Sequence, residues 1–332
     1  MGAYKKMSHY SPMIAALITM LIATFLVYGK VGKSIPDIPN ERSLHTEPIP
    51  RAGGVALMAG ILSGWALMIM SLEWWVVVPV IMLFVVSLLD DLRGLPVSQR
   101  LLAHSTAAAI LVMGSGLLVE NVALALVALI GVIWVTNLYN FMDGSDGLAG
   151  GMTFFGFTMY GVAALMHGDD TQAMLNFSIA AAALGFLYYN FNPAQIFMGD
   201  SGSIPLGFLA AAMGLWGWQQ AHWPWWFPLL VFSPFVVDAT TTLFKRTLRR
   251  EKIQQAHCEH YYQRLIRMGW EHRSIALLEY VLMFASGASA IWAQRHSVEF
   301  PWPLFALWGG IYAALMLAVD NRWAKFQRAS NV

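Results

Sequence analysis

Charge is scarce in this chain. Asp, Glu, Lys and Arg make up 12% of its 332 residues, about half the roughly 25% of ordinary globular proteins, whereas hydrophobic residues make up 58%. That imbalance excludes the pair of soluble domains that this length would otherwise suggest, and it makes the chain a membrane protein. Cysteine is all but missing. Cys258 stands alone, which rules out a disulfide scaffold and any cysteine-rich zinc or iron–sulfur site. Net charge is small as well, +1 from 20 basic and 19 acidic residues, so no bulk charge draws the chain to nucleic acid. No internal repeat and no low-complexity linker divides the sequence, which reads as one integral membrane domain over 1–332.

What the chain has in abundance is apolar sequence. Crossing a hydrocarbon core of roughly 30 Å takes about 20 apolar residues, and eleven stretches qualify. They lie near 13–29, 54–72, 74–89, 101–119, 121–138, 152–167, 173–190, 204–220, 225–244, 275–294 and 302–319. The double-length runs 54–89 and 101–138 are split at Glu73 and at Glu120-Asn121, and the count falls to ten if one split fails. Runs such as Val76 to Leu89 are apolar on every side, unlike the alternating strands of a membrane barrel. The expected fold is therefore an all-α polytopic integral membrane protein. Lys5 and Lys6 ahead of the first stretch suggest a signal peptide, but Val27-Tyr28-Gly29-Lys30 offers no small-x-small cleavage site.

Eleven spans put the termini on opposite sides. With a periplasmic N-terminus and a cytoplasmic C-terminus, 17 of the 20 basic residues face the cytoplasm, as the positive-inside rule requires. The cytoplasmic loops are then 30–53, 90–100, 139–151, 191–203 and 245–274, the last reading in part as an amphipathic helix.

Carboxylates gather on that same face. Asp90-Asp91 end the third span, Asp143 and Asp146 follow the fifth, Asp200 follows the seventh and Asp238 lies late in the ninth. Like charges this close raise at least one pKa unless a cation offsets them. Hard oxygen ligands without a cysteine cluster favour Mg²⁺, with Mn²⁺ as a substitute, over zinc. Magnesium usually takes one or two carboxylates plus substrate phosphates, so a phosphate-bearing substrate is implied. The runs Asp143-Gly-Ser-Asp146-Gly-Leu-Ala-Gly-Gly151 and Gly199-Asp200-Ser-Gly-Ser203 set backbone N–H groups beside acids at the start of a span. Such a turn can hold phosphate, although Asp-Gly also makes ordinary turns. Arg42, His45, Arg51 and Arg100, with His257 and His260, are the candidates for neutralising a diphosphate. His257-x-x-His260 lacks a third soft ligand and reads as a phosphate-facing or solvated pair, not a metal pair. His104, His167, His222, His272 and His296 read as structural or interfacial.

Several segments occur in a fixed order: Asp37-Ile-Pro-Asn-Glu-Arg42-Ser-Leu-His45, Pro50-Arg51-Ala-Gly53-Gly54, Asp90-Asp91, Asn137-Leu-Tyr-Asn140-Phe-Met-Asp143-Gly-Ser-Asp146, Asn190-Phe-Asn192-Pro-Ala-Gln-Ile-Phe197-Met-Gly-Asp200 and His257-Cys-Glu-His260. Together they resemble the polyprenyl-phosphate N-acetylhexosamine-1-phosphate transferase superfamily. Its members include phospho-N-acetylmuramoyl-pentapeptide transferase and the enzymes that begin O-antigen synthesis. The resemblance implies transfer of a sugar 1-phosphate from a UDP-N-acetylhexosamine to undecaprenyl phosphate, with release of UMP. It implies a Mg²⁺-dependent site on the cytoplasmic face of the bacterial inner membrane, among membrane lipid, with a homodimer compatible with the family.

Residue by residue, the resemblance makes Asp200 a metal ligand. Asp90 and Asp91 match an acidic pair assigned to metal, to lipid-phosphate activation or to a covalent intermediate. Asn137 opens the segment whose Asn140, Asp143 and Asp146 match the nucleotide-side loop, with Asn190 nearby; Asp143 and Asp146 count with the acidic pair as catalytic carboxylates. Phe197 matches an aromatic that stacks on uracil, and Arg100 a basic residue that contacts phosphate. Phosphoryl transfer between two anions rests on positioning and charge spreading, so direct attack by the lipid phosphate is the expected route.

One departure bears on the substrate. The peptidoglycan enzyme carries three consecutive histidines in its last cytoplasmic loop, where this chain has His257-Cys-Glu-His260. The pattern is more similar to the O-antigen-initiating branch, some of whose members accept UDP-FucNAc or UDP-QuiNAc in place of UDP-GlcNAc. A secondary transporter is the rival from another class, but transporters bind near the bilayer midplane, and here Glu279 is the main mid-span charge. A CDP-alcohol phosphatidyltransferase would need an arginine soon after its first Asp-Gly, and residues 147–151 contain none.

Overall fold

The computed structural model describes residues 8–29, 36–37, 48–251 and 258–330; Arg42, His45 and His257 lie outside the described residues. The apolar stretches form helices. In chain order these are α1 (Ser11–Tyr28), α2 (Gly53–Ala66), α3 (Trp74–Arg93), α4 (Val97–Gly114), the single turn α5 (Leu117–Glu120), α6 (Val122–Phe141) and α7 (Leu148–Met166). They continue as α8 (Asp170–Asn190), α9 (Asp200–Gln219), the short α10 (Phe227–Val231), α11 (Ser233–Leu248), α12 (Tyr261–Arg267), α13 (His272–Arg295) and α14 (Trp302–Ser330).

Among the described residues, seven helices are long and apolar enough to cross a membrane: α1, α3, α6, α7, α8, α13 and α14. The chain is an all-α, multi-pass membrane protein. The remaining apolar stretches are helical too, but α2 spans only 14 residues, and the ninth stretch is divided at Phe232 into α10 and α11.

The two long apolar runs break where polar residues interrupt them. Glu73 precedes α3 after a 3₁₀ turn at Ile69–Ser71. Asn121 caps α6, its side chain accepting from the Leu124 amide at 3.0 Å, and Asp169 does the same for α8 at the Gln172 amide, 2.9 Å away. Each cap satisfies an amide that the first helical turn leaves without a partner. In the loop read as partly amphipathic, helix resumes as α12.

Apolar side chains cover the outside of the bundle as well as its core. Leu17, Leu21 and Phe25 on α1, Ile130 on α6, Val281 on α13 and Leu317 on α14 face outward. In the interior, small residues such as Ala180, Ala182 and Ala183 on α8 lie among large apolar ones such as Trp65, Phe157 and Phe208; the small ones let backbones approach closely where lipid supplies no hydrophobic drive. α1 lies against α2 and α8, α8 against α7, and α13 against α7. α9 is the central helix, buried along most of its length, and it touches α2, α3, α6 and α7. Its N-terminus meets the ends of α3 and α6. Beside that end a two-residue ribbon pairs β1 (Pro36–Asp37) antiparallel with β2 (Ile49–Pro50), and the Pro50 carbonyl accepts from the Phe197 amide at 2.8 Å.

Candidate active site

The site is organised around the first residue of α9. Gly199, at a φ of 71°, turns the chain into the helix, a conformation that L side chains rarely adopt. A Cβ there would lie 2.8 Å from Asp91 Oδ2. Gly54 is equally constrained: a Cβ would come within 2.2 Å of the Gly202 nitrogen. The Pro-Arg-Ala-Gly-Gly segment is thus pressed directly onto the start of α9 and delivers Arg51 to it.

Asp200 then gathers groups from three other elements. Arg51 Nη2 donates to its Oδ1 at 2.6 Å and Asn140 Nδ2 donates to the same oxygen at 3.0 Å. Arg100 Nη1 donates to Oδ2 at 3.3 Å. Asn140, on the last turn of α6, also donates to Ser203 Oγ at 2.9 Å, so it bridges α6 and α9. Burial disfavours the Arg51 cation, but Asp200 and Asp91 more than offset this and raise its pKa further.

The adjacent acids Asp90 and Asp91 point to different tasks. Asp90 Oδ1 accepts from the Leu95 amide at 2.5 Å and its Oδ2 from Arg100 Nη1 at 3.2 Å. It therefore shares one guanidinium nitrogen with Asp200. Asp91 instead closes the N-terminus of α9, with Oδ1 accepting from the Asp200 amide at 3.0 Å and Oδ2 from the Ser201 amide at 2.8 Å. Arg51 Nε lies 3.4 Å from Asp91 Oδ1, and the Asp91 side chain is only 1% exposed. A carboxylate at a helix N-terminus satisfies orphan amides and complements the helix dipole.

The Asp143–Gly151 loop is stitched to the segment 190–196 that leads into α9. Asp146 Oδ2 accepts from Asn192 Nδ2 at 2.8 Å and from the Ala194 amide at 3.1 Å. Asn190 Oδ1 accepts from the Gly147 amide at 3.0 Å while its Nδ2 donates to the Ile196 carbonyl at 2.9 Å. Both residues are buried and engaged with backbone. Asp143 lies in the same loop. Burial raises its pKa well above the ordinary carboxylate value, and Asp200 and Asp91 push the same way against Arg51. Phe197 is joined through its backbone to Pro50 and Gly53.

Beside Asp200 opens a cavity of about 730 Å³. Arg51, Asp90, Asp91, Arg100, Asn140 and Asp200 line one part; Leu101, Ile130, Ile133, Trp134 and Leu243 line another. Leu101 is 46% and Ile130 67% exposed, so the apolar part reaches the lipid-facing surface. Asn137 and His260 also line the cavity. The sequence-expected residues hence fall into two groups: Arg51, Asp90, Asp91, Arg100, Asn137, Asn140, Asp200 and His260 on the cavity, and Asp143, Asp146, Asn190 and Phe197 in the adjoining loops.

Beyond the apolar wall, the polar side chains of His104 and Gln263 line the cavity without a counterpart among the expected residues. His104, read from sequence as structural or interfacial, meets Asn137 Oδ1 through Nδ1 at 3.2 Å, and Gln263 lines the wall beside His260. The available signal for His104 was spacing, since it stands one helical turn after Arg100 and shares its face. Among the described residues no three His, Cys, Asp or Glu side chains converge as a metal cage. Asp90 and Asp200 instead meet on one Arg100 nitrogen, and one or two carboxylates are what magnesium commonly takes from protein beside substrate phosphates.

The chain resembles known proteins over most of its length. Residues 73–217 match the model of glycosyl transferase family 4. The chain is 31% identical over 299 residues to a probable undecaprenyl-phosphate N-acetylglucosaminyl 1-phosphate transferase of Bacillus subtilis, covering 84% of this chain and 83% of that one. It is 28% identical over 333 residues to the decaprenyl-phosphate N-acetylglucosaminephosphotransferase of Mycobacterium tuberculosis, with 84% and 82% covered. Against a phospho-N-acetylmuramoyl-pentapeptide-transferase of Staphylococcus aureus the identity is 26% over 321 residues, with 86% and 98% covered.

Proposed function

Because the chain belongs to glycosyl transferase family 4, within the polyprenyl-phosphate sugar-1-phosphate transferases, we propose that it transfers the 1-phosphate of a UDP-activated N-acetylhexosamine to undecaprenyl phosphate, releasing UMP. The observation that carries this reading is the two-part cavity. Its cationic and carboxylate end suits phosphates, and its apolar end, reaching the surface at Leu101 and Ile130, suits a lipid tail.

In this reading an oxygen of the lipid phosphate attacks the sugar-linked β-phosphorus. The new P–O bond forms as the bond to the bridging oxygen breaks, and UMP leaves with that oxygen. Arg51 and Arg100 neutralise the two phosphates, and Asn140 holds Asp200 in register. Asp90 and Asp200 would hold Mg²⁺, which when bound draws off charge developing on the phosphate oxygens. Asp91, with both oxygens accepting from α9 amides, is suited to positioning, which favours direct attack over an aspartyl ester. Asp143 and Phe197 take the nucleotide side, in a loop pair braced by Asp146 and Asn190.

His257-Cys-Glu-His260 favours the O-antigen-initiating branch and a donor such as UDP-GlcNAc, UDP-FucNAc or UDP-QuiNAc over the muramoyl-pentapeptide. The distribution of basic residues supports eleven crossings in a single domain, a periplasmic N-terminus and a site facing the cytoplasm of the bacterial inner membrane. The test is to incubate membranes containing the protein with undecaprenyl phosphate and a panel of UDP-sugars, measuring UMP with and without EDTA. UMP release with an N-acetylhexosamine donor, abolished by EDTA and restored by Mg²⁺, is the expected result. Absence of turnover with every donor overturns the reading, and turnover that survives complete metal removal takes the metal out of it.

A further inference from the structure

His260 reaches the cavity from α12, a helix of seven residues and too short to persist on its own in water. What holds it is a pair of carboxylates from two other helices. Asp238 of α11 closes its N-terminus. Asp238 Oδ1 accepts from the Tyr261 amide and from Thr242 Oγ1, each at 3.1 Å, and Oδ2 accepts from the Tyr262 amide at 3.3 Å. His260 Nδ1 lies 3.3 Å from the same Oδ1.

The second carboxylate is Asp320, in the C-terminal half of α14. Its Oδ2 accepts from Lys245 Nζ at 2.6 Å and from Tyr261 Oη at 3.3 Å, and its Oδ1 accepts from Arg264 Nη1 at 2.8 Å. Arg264 is 5% exposed, so its charge depends on such a partner. Arg267 over the Trp323 ring at 5.2 Å and Arg322 over the Trp270 ring at 5.7 Å tie the same region to α14 again. The Gln263 side chain accepts from the His260 amide at 3.2 Å, so the two α12-side groups on the cavity move together.

We propose that Asp320 is a positioning residue for the sugar-phosphate site: through Tyr261 and Arg264 it seats α12 on Asp238 and thereby sets where His260 meets the cavity. The inference rests on the function proposed above and extends it to helices beyond residue 217, where the family match ends.

The test uses the full-length protein in membranes, with Asp320→Ala, Asp320→Glu, His260→Ala and the double variant Asp320→Ala/His260→Ala. Asp320→Ala is expected to lower kcat about tenfold with KM for the UDP-sugar little changed, and to add nothing further once His260 is gone, as coupled neighbours behave. Asp320→Glu restores most of the loss. Cys258, the chain's one cysteine, lies two residues before His260 and supplies a reading that needs no substrate: its maleimide labelling rate rises several-fold in Asp320→Ala as the segment opens. Additive losses in the double variant, or labelling at the wild-type rate, overturn the inference. If the wild type turns over no UDP-sugar, the proposed function falls while the labelling still decides the clamp.

Discussion

Two helix N-termini meet the cavity, and each is closed by a carboxylate from a different helix. Asp91 of α3 receives the amides of Asp200 and Ser201 at the start of α9. Asp238 of α11 receives those of Tyr261 and Tyr262 at the start of α12. The helices they close are unlike. α9 has 20 residues, mostly buried, and packs on α2, α3, α6 and α7 among others, so its course is set by the bundle and Asp91 trims its end. α12 has seven residues, with Tyr262 and Leu265 as apolar anchors and polar ties at both ends. The same device therefore fixes local stability in one place and the aim of a side chain in the other.

The largest effect is expected at the α9 end. Asp200→Asn keeps the shape of the side chain but removes the charge that Arg51, Arg100 and Asn140 converge on. UMP release should fall by about 10²- to 10³-fold with normal membrane insertion; near-wild-type turnover would take Asp200 out of the site. Next comes the direct contrast. Asp91→Ala strands two amides without their buried acceptor and takes from Arg51 one of its two carboxylate partners, and should destabilise the protein by roughly 2–4 kcal/mol, read as a lower melting temperature in detergent. Asp238→Ala should melt close to the wild type and lose turnover, because only α12 is released. Equal melting losses in the two variants would break the distinction. The smallest effect belongs to Gly199→Ala, which forces a Cβ into a left-handed backbone against Asp91. A cost of roughly 1–2 kcal/mol is expected, and a neutral result in the same melting assay would mean that the junction gives way easily.

Much of this was legible in the sequence because hydropathy and helix ends are local properties. The apolar stretches are helical, and the breaks at Glu73 and Asn121 fall where polar side chains interrupt them. Clustering of Asp90, Asp143 and Asp200 followed from their positions at the ends of those stretches. The division of labour between Asp90 and Asp91 was not legible, since adjacency in sequence suggests a pair, whereas successive residues on a helix diverge by about 100°. Asp146 and Asn190 sit in chemically suggestive segments, yet their hydrogen bonds tie those two segments to each other across a gap that no local pattern encodes. Asp320 carries no signal at all. Its partners, Lys245, Tyr261 and Arg264, come from distant parts of the chain, and only tertiary packing brings the four together.

Leu101 and Ile130, exposed where the cavity reaches the outer surface, have a kinetic consequence. A tailed ligand entering between α4 and α6 arrives by diffusion in a plane, so its encounter rate follows its mole fraction among the surrounding lipids. Diluting the bilayer with inert lipid slows that encounter even when the amount per litre is unchanged. A ligand arriving from water answers to molarity instead. One pocket thus obeys two concentration scales at once.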